Sequence, residues 1–554
     1  MTRKVYIGSA WPYVNGRLHL GHVAGLLPAD VLARYHRLAG DDVLWTSGSD
    51  CHGTPITERA RAEGVTPEEI ATRFHAGMVE DFERLGFSYS LYWATMEPAH
   101  HKRVQASFLD LWNKGYIVEG DYHMAHCGAC GENRSDREIN GTCPKCGDAE
   151  ARGDQCDACG DMLNPIDLKN ATCAKCKGEV RFDTSRELFL DLPRVTKELE
   201  TWVQAQTHWR ENAKAWTQGW LTIGLKPRAI TRNIEWGIKV PLQGWEDRRI
   251  YVWFEAVHGY LTASMEWAFQ SGDLDAWKPF WLSDTTEPAL AYYVIGKDNI
   301  PFHTLIWPGI LMAREGFVLP WHIVSSEYLV FEDKKLSKSK GWVIYAHEFM
   351  DRYDPDLLRY FLLANGPESR DTNFTWERFV DLVNSELVNN YSNLVHRLLS
   401  FVSKRFDSKV PIMGPLTVED TDLLAQCEQT FVTAGECIER TEFRRAIETI
   451  MQLVQEANRY FTNQKPWEVI KTNEDRAMTI ISVGLRVLCA LSILTEPFIP
   501  TQAKRLQDML RVSDADKIWA CPVLKENHDL GEIAPLFQRL DKALIERERS
   551  RLGG

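Results

Sequence analysis

The sequence predicts an α/β chain built on a parallel sheet, interrupted by a cysteine-rich insertion and followed by an all-α helical bundle. Three observations predict it. Strand and helix signals alternate near the N-terminus: Val5–Ser9 reads as a strand, Leu20–His36 as a helix and Val43–Thr46 as a strand. That βαβ rhythm implies a Rossmann-like parallel sheet, with ligands at the carboxyl ends of its strands. Four Cys-x-x-Cys pairs then crowd into one polar, glycine-rich stretch. From about residue 386 apolar residues recur every three or four positions, as in Val388, Tyr391, Leu394 and Leu398.

The elements follow in order. At 554 residues the chain is expected to hold several domains, since single cores stop growing near ~250–300 residues. The first half of the α/β domain is expected over 1–116 and the insertion over 117–247. The α/β pattern resumes with Ile250–Phe254 and Tyr292–Gly296, in a second half over 248–325. A lysine-rich loop and a connecting segment take 326–385, and proline-punctuated helices fill 386–554. No run approaches ~18 uninterrupted apolar residues, so no membrane span is expected. The N-terminus leads directly into a strand without the apolar stretch of a secretion signal, which points to the cytoplasm. A net charge of −13 excludes a uniformly basic nucleic-acid coat, though not a local basic surface.

Eight of the thirteen cysteines form the four pairs Cys127/Cys130, Cys143/Cys146, Cys156/Cys159 and Cys173/Cys176. In a cytosolic chain that spacing reads as metal ligation, and a redox dithiol needs only one pair. A tetrahedral all-cysteine site takes four thiolates, so two structural Zn2+ ions are expected.

Two short motifs carry the chemistry. His19-Leu20-Gly21-His22 follows the first strand and opens the first helix. A strand-to-helix turn offers free backbone N–H groups and a favourable dipole to phosphates. Gly21 permits close approach, and His19 and His22 fall near one face of the first turn. Buried structural histidines are the alternative. Far downstream, Lys335-Leu336-Ser337-Lys338-Ser339 reads either as a solvated turn or as a mobile clamp on a triphosphate.

Together and in this order, the two motifs resemble the paired HIGH and KMSKS motifs of class I aminoacyl-tRNA synthetases, each with one aliphatic swap. The resemblance implies an ATP site made of His19, Gly21, His22 and Lys338 with Lys335 beside it. It adds Gly296 and Asp298 of a Gly-Lys-Asp strand end at the ribose.

Further residues narrow the resemblance to the methionyl-tRNA synthetase family, over essentially the whole chain. Asp50 in Gly48–Pro55 matches the carboxylate that holds the substrate ammonium. Trp11, Tyr13, Trp253, Ala256, Tyr260, Asn299 and His303 match pocket positions, and Arg232 matches an arginine near the substrate carboxylate. An aromatic pocket suits a thioether. Trp11, Glu255, Val257 and Asn299 depart from residues common in the family. Asn393 and Arg397, one helical turn apart, and Trp467 match anticodon-reading positions, where splayed bases stack and hydrogen-bond. The resemblance also implies nested metal sites, with Cys143/Cys146 and Cys156/Cys159 inside Cys127/Cys130 and Cys173/Cys176. The implied activity is ATP-dependent ligation of L-methionine to tRNA(Met) through a methionyl-adenylate, with Mg2+ arriving on ATP, by a monomer. A leucine, isoleucine or valine synthetase is the rival enzyme, but the insertion is too short for an editing domain. A catalytically silent homologue is opposed by the intact His19, His22 and Lys338.

Overall fold

β1 (Lys4–Ser9), β2 (Asp42–Ser49), β3 (Leu91–Ala94), β4 (Leu290–Gly296) and β5 (His322–Ser326) form the central sheet. The coordinates are a computed structural model that describes residues 2–134, 136–159, 161, 163–283, 287–335 and 341–551, without the side chains of residues 137 and 335. The sheet order is β5-β4-β1-β2-β3, and every pairing is parallel. The chain runs outward from β1 to β3, then returns to add β4 and β5 on the other side of β1. The order therefore reverses between β1 and β4. Such a switch point opens a crevice beyond the carboxyl ends of the strands.

The strands are buried on both faces, which explains their nearly continuous apolar runs. Val5 and Ile7 point into one core with α1 (Leu20–Leu38), while Tyr6 and Leu44 join a second core with α2 (Val252–Ser271). The segment Ile250–Phe254, rich in β-branched and aromatic residues, is not a core strand. Only Ile250 joins a two-residue strand, and α2 begins at Val252. Tyr251 N donates to Ile230 O and Phe254 N turns back to Tyr251 O, so tertiary context overrides β propensity here.

Two eleven-residue strands, Ile117–Cys127 and Val180–Leu190, carry the insertion outward. They pair antiparallel from Ile117↔Leu190 to Cys127↔Val180, which puts the first cysteine at the far end of the ladder. Beyond it, Ile139–Thr142 pairs with Ala151–Arg152 and Lys169–Cys173 in a small sheet.

In the C-terminal part, helix Trp376–Leu382 passes through a π-helical stretch, Val383–Ser392, into α3 (Asn393–Arg405). The bundle continues with α4 (Val418–Glu439), α5 (Phe443–Gln464), α6 (Glu474–Leu494) and α7 (Pro500–Leu510). Among the described residues α6 alone is long and apolar enough to cross a membrane, yet 89% of its most apolar window is buried inside the protein. It is a core helix.

Arg359 joins the halves. Its side chain has no exposed surface, and Nη2 meets Asp30 of α1 at 2.5 Å. It also donates to Leu85 O at 3.2 Å, Pro497 O at 3.0 Å and Phe498 O at 3.0 Å. Burial pushes the Asp30 pKa up, but Arg34 and Arg359 outweigh it and hold it at about 2. The ion pair is thus fully formed and satisfied, the condition under which a buried charge is tolerated.

Candidate functional site

His19 caps α1, and His22 sits in its first turn. His22 N donates to His19 Nδ1 at 3.4 Å, and His19 N to His22 Nδ1 at 3.3 Å. The rings stack with centroids 3.7 Å apart. An Nδ1 that accepts leaves the ring proton on Nε2. The capping pair therefore fixes both tautomers as Nε2–H donors at a helix N-terminus, where the dipole favours anions.

Lys338 lies outside the described residues, and of Lys335 only the backbone is described, opposite Val330 in a short antiparallel pair. The far side of that loop is described. Leu20 N donates to Ile344 O at 3.1 Å, Ala346 N to Leu18 O at 2.9 Å, and Tyr345 forms a bridge with His19. The segment leaving the lysine loop is thus bonded to the histidine motif. β4 ends at Gly296, and Lys297–Asn299 make one tight turn that sets Asp298 at the crevice.

Ala10, Trp11, Tyr13, Asp50, Trp253, Ala256, Val257, Tyr260, Asn299, Phe302 and His303 line one pocket beside the switch point. The topology explains the gathering. Asp50 follows β2, residues 10–13 follow β1, and Asp50 N donates to Pro12 O at 2.9 Å while Val14 N donates to Asp50 O at 3.1 Å. Trp253 Nε1 donates to the Tyr13 hydroxyl at 2.6 Å, and its ring packs tilted by 60° against Phe302 with centroids 4.0 Å apart. Trp11 is wedged between Gly48 and Gly259, where added Cβ atoms would come within 2.3 Å and 2.8 Å of its ring.

The polar end of the pocket has a fixed proton order. His303 Nδ1 lies 2.8 Å from Asn299 O, and a carbonyl only accepts, so Nδ1 carries the proton. Tyr260 O–H must then donate to His303 Nε2 at 2.8 Å. Burial lowers the His303 pKa to about 4, so the ring is neutral at neutral pH. A neutral, internally satisfied pair suits an apolar, uncharged side chain. Below the pocket, Glu255 is fully buried and meets His52 Nδ1 at 2.6 Å. Burial pushes its pKa up, but His52 and His100 hold it at about 2.

Arg232 is the one expected methionine-binding residue outside this lining. It borders an adjoining cavity that shares Trp253 and Phe302 with the first. Asp136 of the insertion holds its guanidinium at 3.0 Å, between the rings of Tyr122 at 4.8 Å and Tyr251 at 4.4 Å. Phe302, which sequence reasoning missed, sits in a π-helical turn, Phe302–Ile306, and a position one residue before His303 was its only signal.

The cysteines form two sets, Cys127/Cys130/Cys173/Cys176 and Cys143/Cys146/Cys156/Cys159, in the nested order. Within each set all ligand atoms lie within 4.8 Å of one another, with pairs such as Cys143–Cys159 at 3.8 Å and Cys146–Cys156 at 3.6 Å. Tetrahedral Zn–S bonds near ~2.3 Å set sulfur edges of ~3.8 Å. Both sets therefore fit a four-thiolate metal.

On the helical domain Asn393 and Arg397 are exposed one turn apart on α3. The Arg397 guanidinium lies 5.1 Å over the ring of Trp467, which is 38% exposed. Arg397 and Trp467 rim a small pocket floored by Leu394, Phe401 and Phe461.

A family model for class I tRNA synthetases (M) matches residues 5–399, and one for the anticodon binding domain of methionyl tRNA ligase matches 410–543. The chain belongs to the methionyl-tRNA synthetase family. Methionine–tRNA ligase of Dehalococcoides mccartyi (strain CBDB1) is 43% identical to this synthetase over 556 residues, covering 100% of both chains. That of Roseiflexus castenholzii is 40% identical over 587 residues, covering 100% of this chain and 99% of its own. The structure of Mycobacterium tuberculosis methionyl-tRNA synthetase in complex with methionyl-adenylate superposes with a TM-score of 0.82 at 25% identity, over 97% of this synthetase and 100% of that chain.

Proposed function

We propose that this synthetase ligates L-methionine to tRNA(Met) through a methionyl-adenylate, releasing AMP and pyrophosphate. The observation that carries the reading is the bonding of residues 344–346, which follow the lysine motif in the sequence, to residues 18–20 at the stacked histidines beside an aromatic pocket. Asp50 takes the methionine ammonium, and the Tyr260–His303 pair with Trp11, Tyr13, Trp253, Ala256 and Asn299 encloses the thioether. Arg232 acts on the carboxylate side. That carboxylate attacks the α-phosphorus of ATP, whose Mg2+ travels with it. His19, His22, Lys335 and Lys338 stabilise the departing pyrophosphate, with Gly21 giving close approach, while Gly296 and Asp298 hold the ribose. A terminal tRNA hydroxyl then takes the methionyl group, and AMP leaves. Catalysis is positioning and electrostatics, with no covalent enzyme intermediate.

Asn393, Arg397 and Trp467 read the anticodon in this proposal. Two Zn2+ ions, one per cysteine set, supply structural cross-links to the insertion. The chain divides into catalytic halves at 1–116 and 248–325, an insertion at 117–247, a connecting segment at 326–385 and a helical domain at 386–554. It acts in the cytoplasm as a monomer. The test is ATP–pyrophosphate exchange with each of the twenty amino acids. Exchange with methionine well above all others is expected; preferred exchange with leucine, isoleucine or valine would overturn the reading.

A further inference from the structure

We infer that Tyr328 is a positioning residue that ties the ribose-binding carboxylate of Asp298 to the hairpin carrying the lysine loop. The inference rests on the role proposed above for Asp298. Tyr328 stands immediately before the strand Leu329–Phe331, which pairs antiparallel with Lys334–Lys335 and parallel with Thr372–Phe374. That hairpin leads directly into residues 336–340. The Tyr328 hydroxyl donates to Asp298 Oδ1 at 2.5 Å. A phenol has one proton, so the bond fixes one carboxylate oxygen on the protein side. The acceptor capacity of the other oxygen remains for a sugar hydroxyl. Burial and the adjacent Asp298 push the Tyr328 pKa up, which keeps the donor protonated.

The rest of the tyrosine is held independently of its hydroxyl. Lys297 Nζ lies 4.0 Å from the ring centroid and donates to Glu327 at 2.7 Å and Asp371 at 3.1 Å. Asp371 also accepts the Tyr328 backbone N–H at 2.9 Å. Asn212 anchors Glu327 from the other side at 2.8 Å. Ring and main chain are therefore placed by a cation and two carboxylates, and only the hydroxyl speaks to Asp298. This arrangement gives the hairpin a register relative to the ribose. A shift of the hairpin on the triphosphate reorients the carboxylate, and a ribose held by the carboxylate orients the hairpin.

The experiment uses the full chain in methionine-dependent ATP–pyrophosphate exchange with ATP, 2′-deoxy-ATP and 3′-deoxy-ATP. Tyr328→Phe keeps the ring and its Lys297 contact. It is expected to raise KM for ATP about 10-fold, the scale of one hydrogen bond to a charged group, with KM for methionine unchanged. Its preference for ATP over a deoxy analogue is expected to shrink. Asp298→Asn with Tyr328→Phe is expected to be no worse than Asp298→Asn alone. Wild-type ATP kinetics in Tyr328→Phe beside an impaired Asp298→Asn would overturn the positioning role and leave Asp298 in place. Wild-type ATP kinetics in both would overturn the ribose assignment as well.

Discussion

Adding one methyl group at Gly48 should cripple methionine recognition. Gly48 lies near the end of β2, opposite Trp93 of β3. A Cβ there would stand 2.3 Å from Cζ3 and 2.6 Å from Cη2 of Trp11, and 2.4 Å from the Trp93 carbonyl oxygen. Neither neighbour has room to yield. The carbonyl belongs to a paired strand, and the indole is backed by Gly259, whose own Cβ position is 2.8 Å from the same ring. Carbon contacts relax near ~3.5–4.0 Å, so the ring must shift by about 1 Å. Overpacking of this kind costs about 1–3 kcal/mol in stability, and ~1 Å of misplacement at a reacting site costs up to ~100-fold in rate. In pyrophosphate exchange, Gly48→Ala is expected to raise KM for methionine at least ~10-fold. The melting temperature should fall by about 1 °C per kcal/mol lost for a chain of this length. Gly219→Ala is the matched control. That glycine is exposed in the helix Glu211–Ile223, and its Cβ would meet nothing within 4 Å. It should gain up to ~1 kcal/mol with KM unchanged. A Gly48→Ala enzyme with wild-type KM and melting temperature would refute the wedging of Trp11.

Three other outcomes are expected. Purified protein should contain two zinc ions per chain by metal analysis, one for each cysteine set, and Cys146→Ser should remove about one of them; well under one in the wild type would defeat the metal assignment. Trp467→Ala should spare ATP–pyrophosphate exchange yet lower tRNA charging ~10-fold or more, since base stacking on an aromatic ring is worth ~1–3 kcal/mol; equal loss of both activities would remove the anticodon role. Stability should drop on mild acidification. Burial lowers the pKa of His258 to about 3 and of His303 to about 4. The unfolded chain therefore binds protons below pH ~6.5 that the native state refuses, and each site removes up to ~1.4 kcal/mol per pH unit down to its folded pKa. Above pH ~6.5 their contribution is complete. A melting temperature unchanged from pH ~7 to pH ~5 would count against neutral burial.

The site was legible in the sequence where it sits at strand ends. Asp50, Gly296 and Asp298 end or closely follow short apolar runs, and the parallel topology delivers such positions to one crevice, whereas His19 lies ten residues beyond the end of β1 and is placed as the cap of α1. The cysteines were legible as metal ligands because they come in Cys-x-x-Cys pairs, while the nested grouping came from the family resemblance and the structure brings those two sets together. What escaped depends on partners far apart in the chain. The Asp136–Arg232 pair is separated by 96 positions, and it draws the arginine to the far side of Trp253. Tyr328 and Phe302 gave no signal of their own. The π-helical stretches at Phe302–Ile306 and Val383–Ser392 break the 3.6-residue period that sequence reading relies on. Ile250–Phe254 has strand composition, but its backbone partners make it a helix start.

Arg359 limits how this chain can be divided. The cation takes its acceptors from α1, from the end of the segment before β3, and from the carbonyls of Pro497 and Phe498. A fragment ending before the bundle would strip away two of those acceptors and flood a dry seam around a charge that cannot be neutralised. Swapping the C-terminal domain between relatives as an independent cassette should therefore succeed only where the donor supplies the same knot of carbonyls.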